Sequence, residues 1–340
     1  MTSRMLEEAC STSEMISLQL QQDEARYLAL GEALRAAPPQ NVVTVARGSS
    51  DHAAGYLAYL LMSRIGKLVT SLPMSLVTLH KAPLDTRQAL AVAISQSGQS
   101  PDVIEPIRFF RDGGANTVAL VNDVRSPLAE SAEWTFGLCA GPELSVAATK
   151  SFIASLVAGA RLVAHWQNDQ PFLKAIATLP ESLLLACKQD WSAALDVLAP
   201  ASRIMVVGRG ISFPIALEAA LKCKETSAIQ AEAFSGAEIK HGPMALIDEG
   251  YPLLIFATRG PALEGLRKLA AEMRGRGARV LLVAPHDVPE RDLTLPGAVL
   301  PELDPIVAIQ AFYVMAAQLA EARGMDPDQP RHLSKVTRTE

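Results

Sequence analysis

The sequence predicts an α/β fold of two tandem, doubly wound parallel sheets. Three observations carry this. Short apolar or β-branched runs alternate with helical stretches along most of the 340 residues, the pattern of strands covered on both faces by helices. The second half repeats the first in spacing: the strand at 42–46 precedes that at 91–94 by nearly the interval separating 203–207 from 253–257, and the next strands, 117–121 and 280–283, follow at similar distances. The first strand of each half also ends in a glycine turn, Arg47-Gly48 and Gly208-Arg209-Gly210. A period this long marks a duplicated strand–helix unit, well beyond a solenoid repeat.

In order, residues 1–38 read as a polar lead-in with one or two helices. Apolar residues over 14–34 recur at roughly helical spacing, and Pro38-Pro39 ends the run, because proline cannot continue a helix and restricts its predecessor. A β-branched strand at 42–46 leads into a small-residue helix at 51–64, and Val69–Ser71 is a second strand. The third, 89–94, is continuously apolar and hands over to a helix at 101–110 through Ser95-Gln96-Ser97-Gly98-Gln99-Ser100. Ser100 and Pro101 suit the N-cap and N1 positions. A fourth strand lies at 117–121, a short edge strand at 135–138 and a long helix of small and apolar residues at 143–166. A polar break and then helix over 167–200 close this half. The second half brings a strand at 203–207, a helix at 214–227, a strand at 253–257, a helix running to 276, a strand at 279–284 and a closing helix at 306–323. The expected domains are 39–170 and 195–325, with the lead-in before them and a tail at 326–340.

Composition narrows the function. The chain is 49% hydrophobic and 20% charged, with net charge −5 and six scattered histidines. That argues against a general nucleic-acid or membrane-surface binder, though not against a small anionic ligand. The N-terminal MTSRMLEEACSTSEM has no apolar core of signal-peptide type, and the apolar helical stretch 152–166 is interrupted by Arg161 and too short to span a bilayer. Cys10, Cys139, Cys187 and Cys223 lie far apart, with no CxxC pair and no zinc spacing. Free thiols in a reducing cytoplasm are expected, and no metal site.

Ligands of doubly wound sheets bind beyond the carboxyl ends of the strands, so the loops after residues 46, 94 and 207 share the functional edge. In the loop at 95–100, unpaired N–H groups at a helix start, three hydroxyls and two amides form a neutral cradle suited to a phosphate; a polar turn with a serine cap is the plainer alternative. Gly208-Arg209-Gly210 lacks the third glycine of a dinucleotide fingerprint, Phe213 standing in its place. On the next helix Glu218, Lys222 and Glu225 share one face. Periodicity alone favours a solvated salt-bridge stripe there; a half-buried Glu225 acting as a general base is the sharper alternative. The dense polar stretch from Gln230 to Pro243 has little helical or strand period and reads as a site loop, with His241 a candidate acid/base. The tail could be a frayed end or a cover that delivers Lys335.

Six collinear motifs carry a resemblance covering about residues 25–340. They are Gly48-Ser49-Ser50, Ser95-Gln96-Ser97-Gly98, Glu143-Leu-Ser-Val146-Ala-Ala-Thr149-Lys150, Ala219-Ala-Leu-Lys222-Cys-Lys224-Glu225, Glu238-Ile-Lys240-His241-Gly-Pro243 and Asp328-Gln-Pro-Arg331…Leu333-Ser334-Lys335. The sequence resembles the SIS (sugar isomerase) domain family, in particular the isomerase half of glutamine:fructose-6-phosphate amidotransferase and the stand-alone SIS-type glucosamine-6-phosphate deaminases. The resemblance implies two flavodoxin-like SIS domains and a sugar phosphate held by Ser95, Gln96, Ser97 and Ser100 with Ser50. It implies that Val146 lines the sugar site through its backbone, and that Glu225 moves a proton between C1 and C2 with Lys222 nearby. His241 assists ring opening across a homodimer interface, and Lys335 meets the open-chain carbonyl. Gln99-Ser100 stands where the family usually has Glu-Thr, and Ser334 where it commonly has alanine.

The resemblance lacks a glutaminase domain, since only a polar lead-in precedes residue 42. The expectation is therefore a cytoplasmic deaminase–isomerase that turns glucosamine 6-phosphate into fructose 6-phosphate and ammonia without a metal or organic cofactor. Three alternatives stand beside it: an aldose–ketose isomerase for a hexose phosphate, a deaminase of a related amino-sugar phosphate, and an ammonia-dependent synthase-like isomerase. A sugar-phosphate-binding regulator is a fourth, of another class, but residues 1–38 are short and not basic enough for a DNA-binding module.

Overall fold

Two five-stranded sheets, with every strand pair parallel, organise the chain in the computed structural model, which describes residues 3–335. Helices α1 (Arg4–Cys10), α2 (Thr12–Gln21) and α3 (Glu24–Ala36) come first. The first sheet follows as β1 (Asn41–Val45), α4 (Ser49–Leu60), β2 (Val69–Ser71), α5 (Ser75–Thr78) and β3 (Ala89–Ser95). It is completed by α6 (Pro101–Asp112), β4 (Asn116–Val121), α7 (Pro127–Ser131) and β5 (Trp134–Gly137). Helices α8 (Lys150–Gln167), α9 (Gln170–Ala177), α10 (Leu179–Cys187) and α11 (Ala193–Leu198) come next. The second sheet comprises β6 (Arg203–Gly208), α12 (Phe213–Ser227), β7 (Gln230–Ser235), β8 (Pro252–Phe256), α13 (Leu263–Gly275), β9 (Arg279–Pro285) and β10 (Leu293–Leu295). Helix α14 (Asp304–Ala322) closes it.

The strand orders, β2-β1-β3-β4-β5 and β7-β6-β8-β9-β10, match rank for rank. In both, the winding reverses between the first and third strands, the crevice where ligands of such sheets bind. Two compact units hold the sheets. One comprises Glu14–Pro142 and Lys150–Ala177; the other comprises 3–13, Glu143–Thr149 and Thr178–Lys335.

In the first-sheet unit every residue of β3 is buried, which is why its sequence shows no alternation. Its core gathers Val45, Ala91, Ala93, Ile107, Phe110 and Val121. The stretch before β1 is less of a lead-in than expected: Tyr27 of α3 stacks on Phe136 of β5 at 4.1 Å, and Gln19 of α2 donates to the Ala154 carbonyl of α8 at 2.9 Å. The second-sheet core joins Val207, Leu253, Ile255, Leu269 and Leu282.

Three expectations fail. Residues 143–149 are not helix; α8 begins at Lys150, and the stretch before it is instead bound to the Glu8 carboxylate and the Asp328 carbonyl. Residues 230–235, expected within a loop, form edge strand β7 paired with β6. Cys10 and Cys187 are not free thiols. Helix α1 brings Cys10 to the end of α10, the two Cα atoms 5.8 Å apart, and the sulfurs are bonded, a separation within the disulfide range. Cys139 and Cys223 are unbridged. Among the described residues one helical stretch, Pro301–Ala322, is long and apolar enough to cross a bilayer, but 94% of its apolar window is buried. It is a core helix.

Candidate active site

The crevice of the first sheet lies between the loops after β1 and β3. Ser50 is the second residue of α4 and half-buried; Ser95 ends β3 and is buried. Gln96, Ser97 and Ser100 are half-buried and Gln99 is exposed. The loop is shaped from within. Gly98 N–H donates to Ser95 Oγ at 3.0 Å, and Leu128 N–H donates to the Gly98 carbonyl at 3.2 Å. Gly98 sits at φ +63°, and a Cβ there would lie 2.1 Å from Ser126 Oγ, so only glycine fits. Ser100 is the N-cap of α6 by position, with extended backbone, Pro101 at N1, and no side-chain cap bond. The first turns of α4 and α6 both begin beside this crevice, and the positive ends of two helix dipoles favour an anion there. Arg47, after β1, donates to the buried Asp102 in the first turn of α6 at 2.9 Å. No Lys or Arg lies within residues 95–100, but Arg47 flanks them.

The second-sheet unit holds a charged cluster on α12. Glu218 and Lys222 are sealed, their side chains 0% and 1% exposed, while Glu225 keeps 21%. Lys222 donates to Glu225, its Nζ lies 3.4 Å from Glu218, and Tyr313 Oη of α14 donates to Glu218 at 3.1 Å. The solvated stripe favoured by periodicity is therefore wrong. Spacing places three charges on one face but does not say that α14, with Tyr313, covers that face. Burial alone would depress Lys222, but Glu218 and Glu225 outweigh it and raise its pKa above the ordinary lysine value. Burial, then the negative charge of Glu218, pushes Tyr313 well up, so its hydroxyl stays a donor.

Lys335 is set beside the segment 143–149. Its Nζ donates to Glu143 Oε2 at 2.9 Å and to the Ser145 carbonyl at 2.7 Å, while Glu143 also accepts from Thr149 N–H at 3.0 Å. Glu143 is close enough to Lys222 to help raise it. One cluster therefore brings together Glu218, Lys222, Glu225, Glu143, Tyr313 and Lys335. The Val146 N–H donates to the Asp328 carbonyl at 3.1 Å. A cavity of about 550 Å³ opens beside Leu144 and Val146, lined also by Arg4, Asp328, Gln329 and Leu333. Ser334 is exposed. So is His241, in a 3-10 turn after β7, and among the described residues no hydrogen bond or ion pair joins it to the cluster of its own chain. Residues 336–340 of the tail lie outside the described residues.

Roles for Glu143 and Tyr313 were not foreseen. Glu143 stood inside a quoted motif, but the expected helix hid its side chain's task; Tyr313 lies in an apolar run with no local signal. Among the described residues no three His, Cys, Asp or Glu side chains gather to hold a metal ion.

The chain matches the SIS domain family over residues 37–164 and 197–287. It is 33% identical over 335 residues to a glutamine–fructose-6-phosphate aminotransferase (isomerizing) of Thermus thermophilus, covering 94% of this chain and 55% of that one. The chain spans about half the length of the curated relatives it matches. A crystal structure from Silicibacter pomeroyi DSS-3, described provisionally as a phosphosugar isomerase, superposes with TM-score 0.91 and 38% identity over 96% of this chain and 100% of that one. The C-terminal domain of glucosamine-fructose-6-phosphate aminotransferase from Francisella tularensis superposes with TM-score 0.86 and 25% identity over 97% and 99%. The paired sheets, the serine loop and these likenesses agree: the chain belongs to the SIS domain family.

Proposed function

We propose that the chain deaminates and isomerises an amino-sugar 6-phosphate, glucosamine 6-phosphate foremost, giving fructose 6-phosphate and ammonia. The observation that supports this best is the α12 cluster, in which a sealed ammonium, Lys222, is paired with the partly open carboxylate of Glu225. Phosphate binding falls to Ser50, Ser95, Gln96, Ser97 and Ser100, where neutral donors and two helix starts suit a dianion. Proton transfer falls to Glu225. It takes the C2 proton of the open-chain aldehyde and returns it to C1, leaving an imine at C2; water adds to the imine and ammonia departs. Lys222, bonded to Glu225, holds it aimed. Lys335, with Glu143 and the Ser145 carbonyl around it, meets the carbonyl oxygen, and the Val146 carbonyl and Ser334 line the sugar. The C2 nitrogen and the carbonyl provide the electron sink, so the scheme calls for no cofactor.

His241 opens the ring. Because, among the described residues, no hydrogen bond or ion pair joins it to its own cluster, we assign it to the site of a second copy in a homodimer. A charged hexose phosphate does not cross membranes freely, which favours a cytoplasmic enzyme, while the Cys10–Cys187 bond, of a kind scarce in reducing compartments, weighs the other way. A plain aldose–ketose isomerase would use the same Glu225 step on a substrate without nitrogen, and the 38% identical Silicibacter relative is described in such terms.

The test is release of ammonia and fructose 6-phosphate from hexosamine 6-phosphates by the purified protein. Glu225→Gln should lower kcat by about 10²–10⁴ with little change in KM. Glu225→Gln and His241→Asn chains, each impaired alone, should regain activity when mixed. Full activity in Glu225→Gln sinks the assignment of the base, and isomerisation without ammonia favours the second reading.

A further inference from the structure

The segment 143–146 is held in place by a carboxylate and a main-chain carbonyl of distant origin. Leu144 N–H, Ser145 N–H and Ser145 Oγ all donate to the Glu8 carboxylate, the Ser145 N–H bond being 3.3 Å. Glu8 lies on α1 and is 9% exposed; Ser145 is fully buried. Three donors from two consecutive residues thus converge on one buried anion, and a carboxylate accepting several such bonds holds its donors firmly. The next peptide group, Ser145–Val146, is gripped at both ends: its N–H donates to the Asp328 carbonyl and its C=O accepts from Lys335. Hydrogen bonds in such a chain polarise and align one another.

Asp328 ties in α1 a second time. Its carboxylate accepts the first-turn N–H groups of Arg4 and Met5 at 3.0 and 2.8 Å, which caps α1 where Ser3 makes no side-chain cap bond. Helix α1 therefore fixes both the segment that carries Glu143 and Ser145 and the tail that carries Lys335.

Resting on the role given above to Lys335, we infer that Glu8 is a positioning residue for it. Glu8 touches no substrate. It sets the Leu144–Ser145 backbone so that the Ser145 carbonyl and Glu143 hold the Lys335 ammonium in one place.

The experiment reads Lys335 directly. The full chain is treated with an amine-acylating reagent, and labelling rates are taken from peptide mass spectrometry, with exposed Lys224 as internal reference. Loss of a charge-assisted bond network should raise Lys335 labelling roughly tenfold in Glu8→Ala and less in Glu8→Gln, which keeps one acceptor oxygen; Glu7→Gln, an exposed neighbour on α1, should leave it unchanged. In turnover, kcat should fall by a similar factor while KM holds. Wild-type labelling of Lys335 in folded Glu8→Ala overturns the inference. Should Glu8→Ala fail to fold, Ser145→Ala decides: it removes one of the three donors, so faster labelling supports the inference and an unchanged rate overturns it. A protein inactive on every hexosamine 6-phosphate would count against the proposed activity alone, since labelling needs no turnover.

Discussion

A lysine ammonium with 1% of its side chain exposed loses nearly all of its hydration, and only neighbouring charges can offset that cost. Glu218 and Glu225 do so for Lys222, and Tyr313 donates to the same Glu218 oxygen, Oε1, that faces Lys222. Removing one carboxylate leaves a buried charge short of its partner. Glu218→Ala should therefore cost about 3 kcal/mol or more of stability, near the lower end for breaking a buried pair because Glu225 remains, as read by chemical denaturation. The pH dependence follows from the direction of the shift. Lys222 has a folded-state pKa above its ordinary value of 10.5, so it binds its proton more tightly when folded. Its contribution is whole below that ordinary value and is lost as pH rises through the higher folded one. Alkaline titration of stability should show a falling limb above about 10.5 that is absent in Lys222→Met. None of this was readable from residue spacing, which gives the angle around a helix axis and not what lies opposite.

At the scale of elements, contiguous apolar runs betrayed the central strands, since β3 and β8 are buried along their whole length and need no polar face. The turn between β3 and α6 was legible for a related reason: serines, a glycine and a proline at a strand-to-helix handover leave few other conformations. That turn hinges on Gly98, whose positive φ and tight packing on Ser126 exclude a side chain. Gly98→Ala should weaken phosphosugar binding at least about tenfold, given ~1–2 kcal/mol for a left-handed non-glycine residue plus the clash. Calorimetric titration with a hexose 6-phosphate checks this, with kcat at saturation nearly kept. Elements shaped by distant partners were misread. The segment 143–149 has helical composition, yet Glu8 and Asp328 take its amides. Strand β7, QAEAFS, pairs among the described residues with β6 alone, and its polar residues are those an edge strand tolerates.

At the scale of the whole molecule, the duplicated spacing foretold the common strand order, because spacing and order both follow from repeating one strand–helix unit. The link between Cys10 and Cys187 could not be foreseen: 177 residues separate them, and no spacing rule reaches so far. A loop of that length confers up to about 5 kcal/mol by restricting the unfolded chain. Reduction with a phosphine should lower unfolding stability by up to that amount. Turnover should survive, because α1 stays anchored without the sulfur bond: Thr12 Oγ1 donates to Gln310 Oε1 at 2.6 Å, and Gln310 Nε2 donates to the Ala9 carbonyl at 2.8 Å.

The same bond turns the chain into a lasso whose ring runs from residue 10 to residue 187 and includes the whole of the first sheet. A protease that nicks any surface loop inside the ring opens it without liberating a fragment. On a denaturing gel the nicked protein should migrate as a single band until a thiol is added, and only then fall into two.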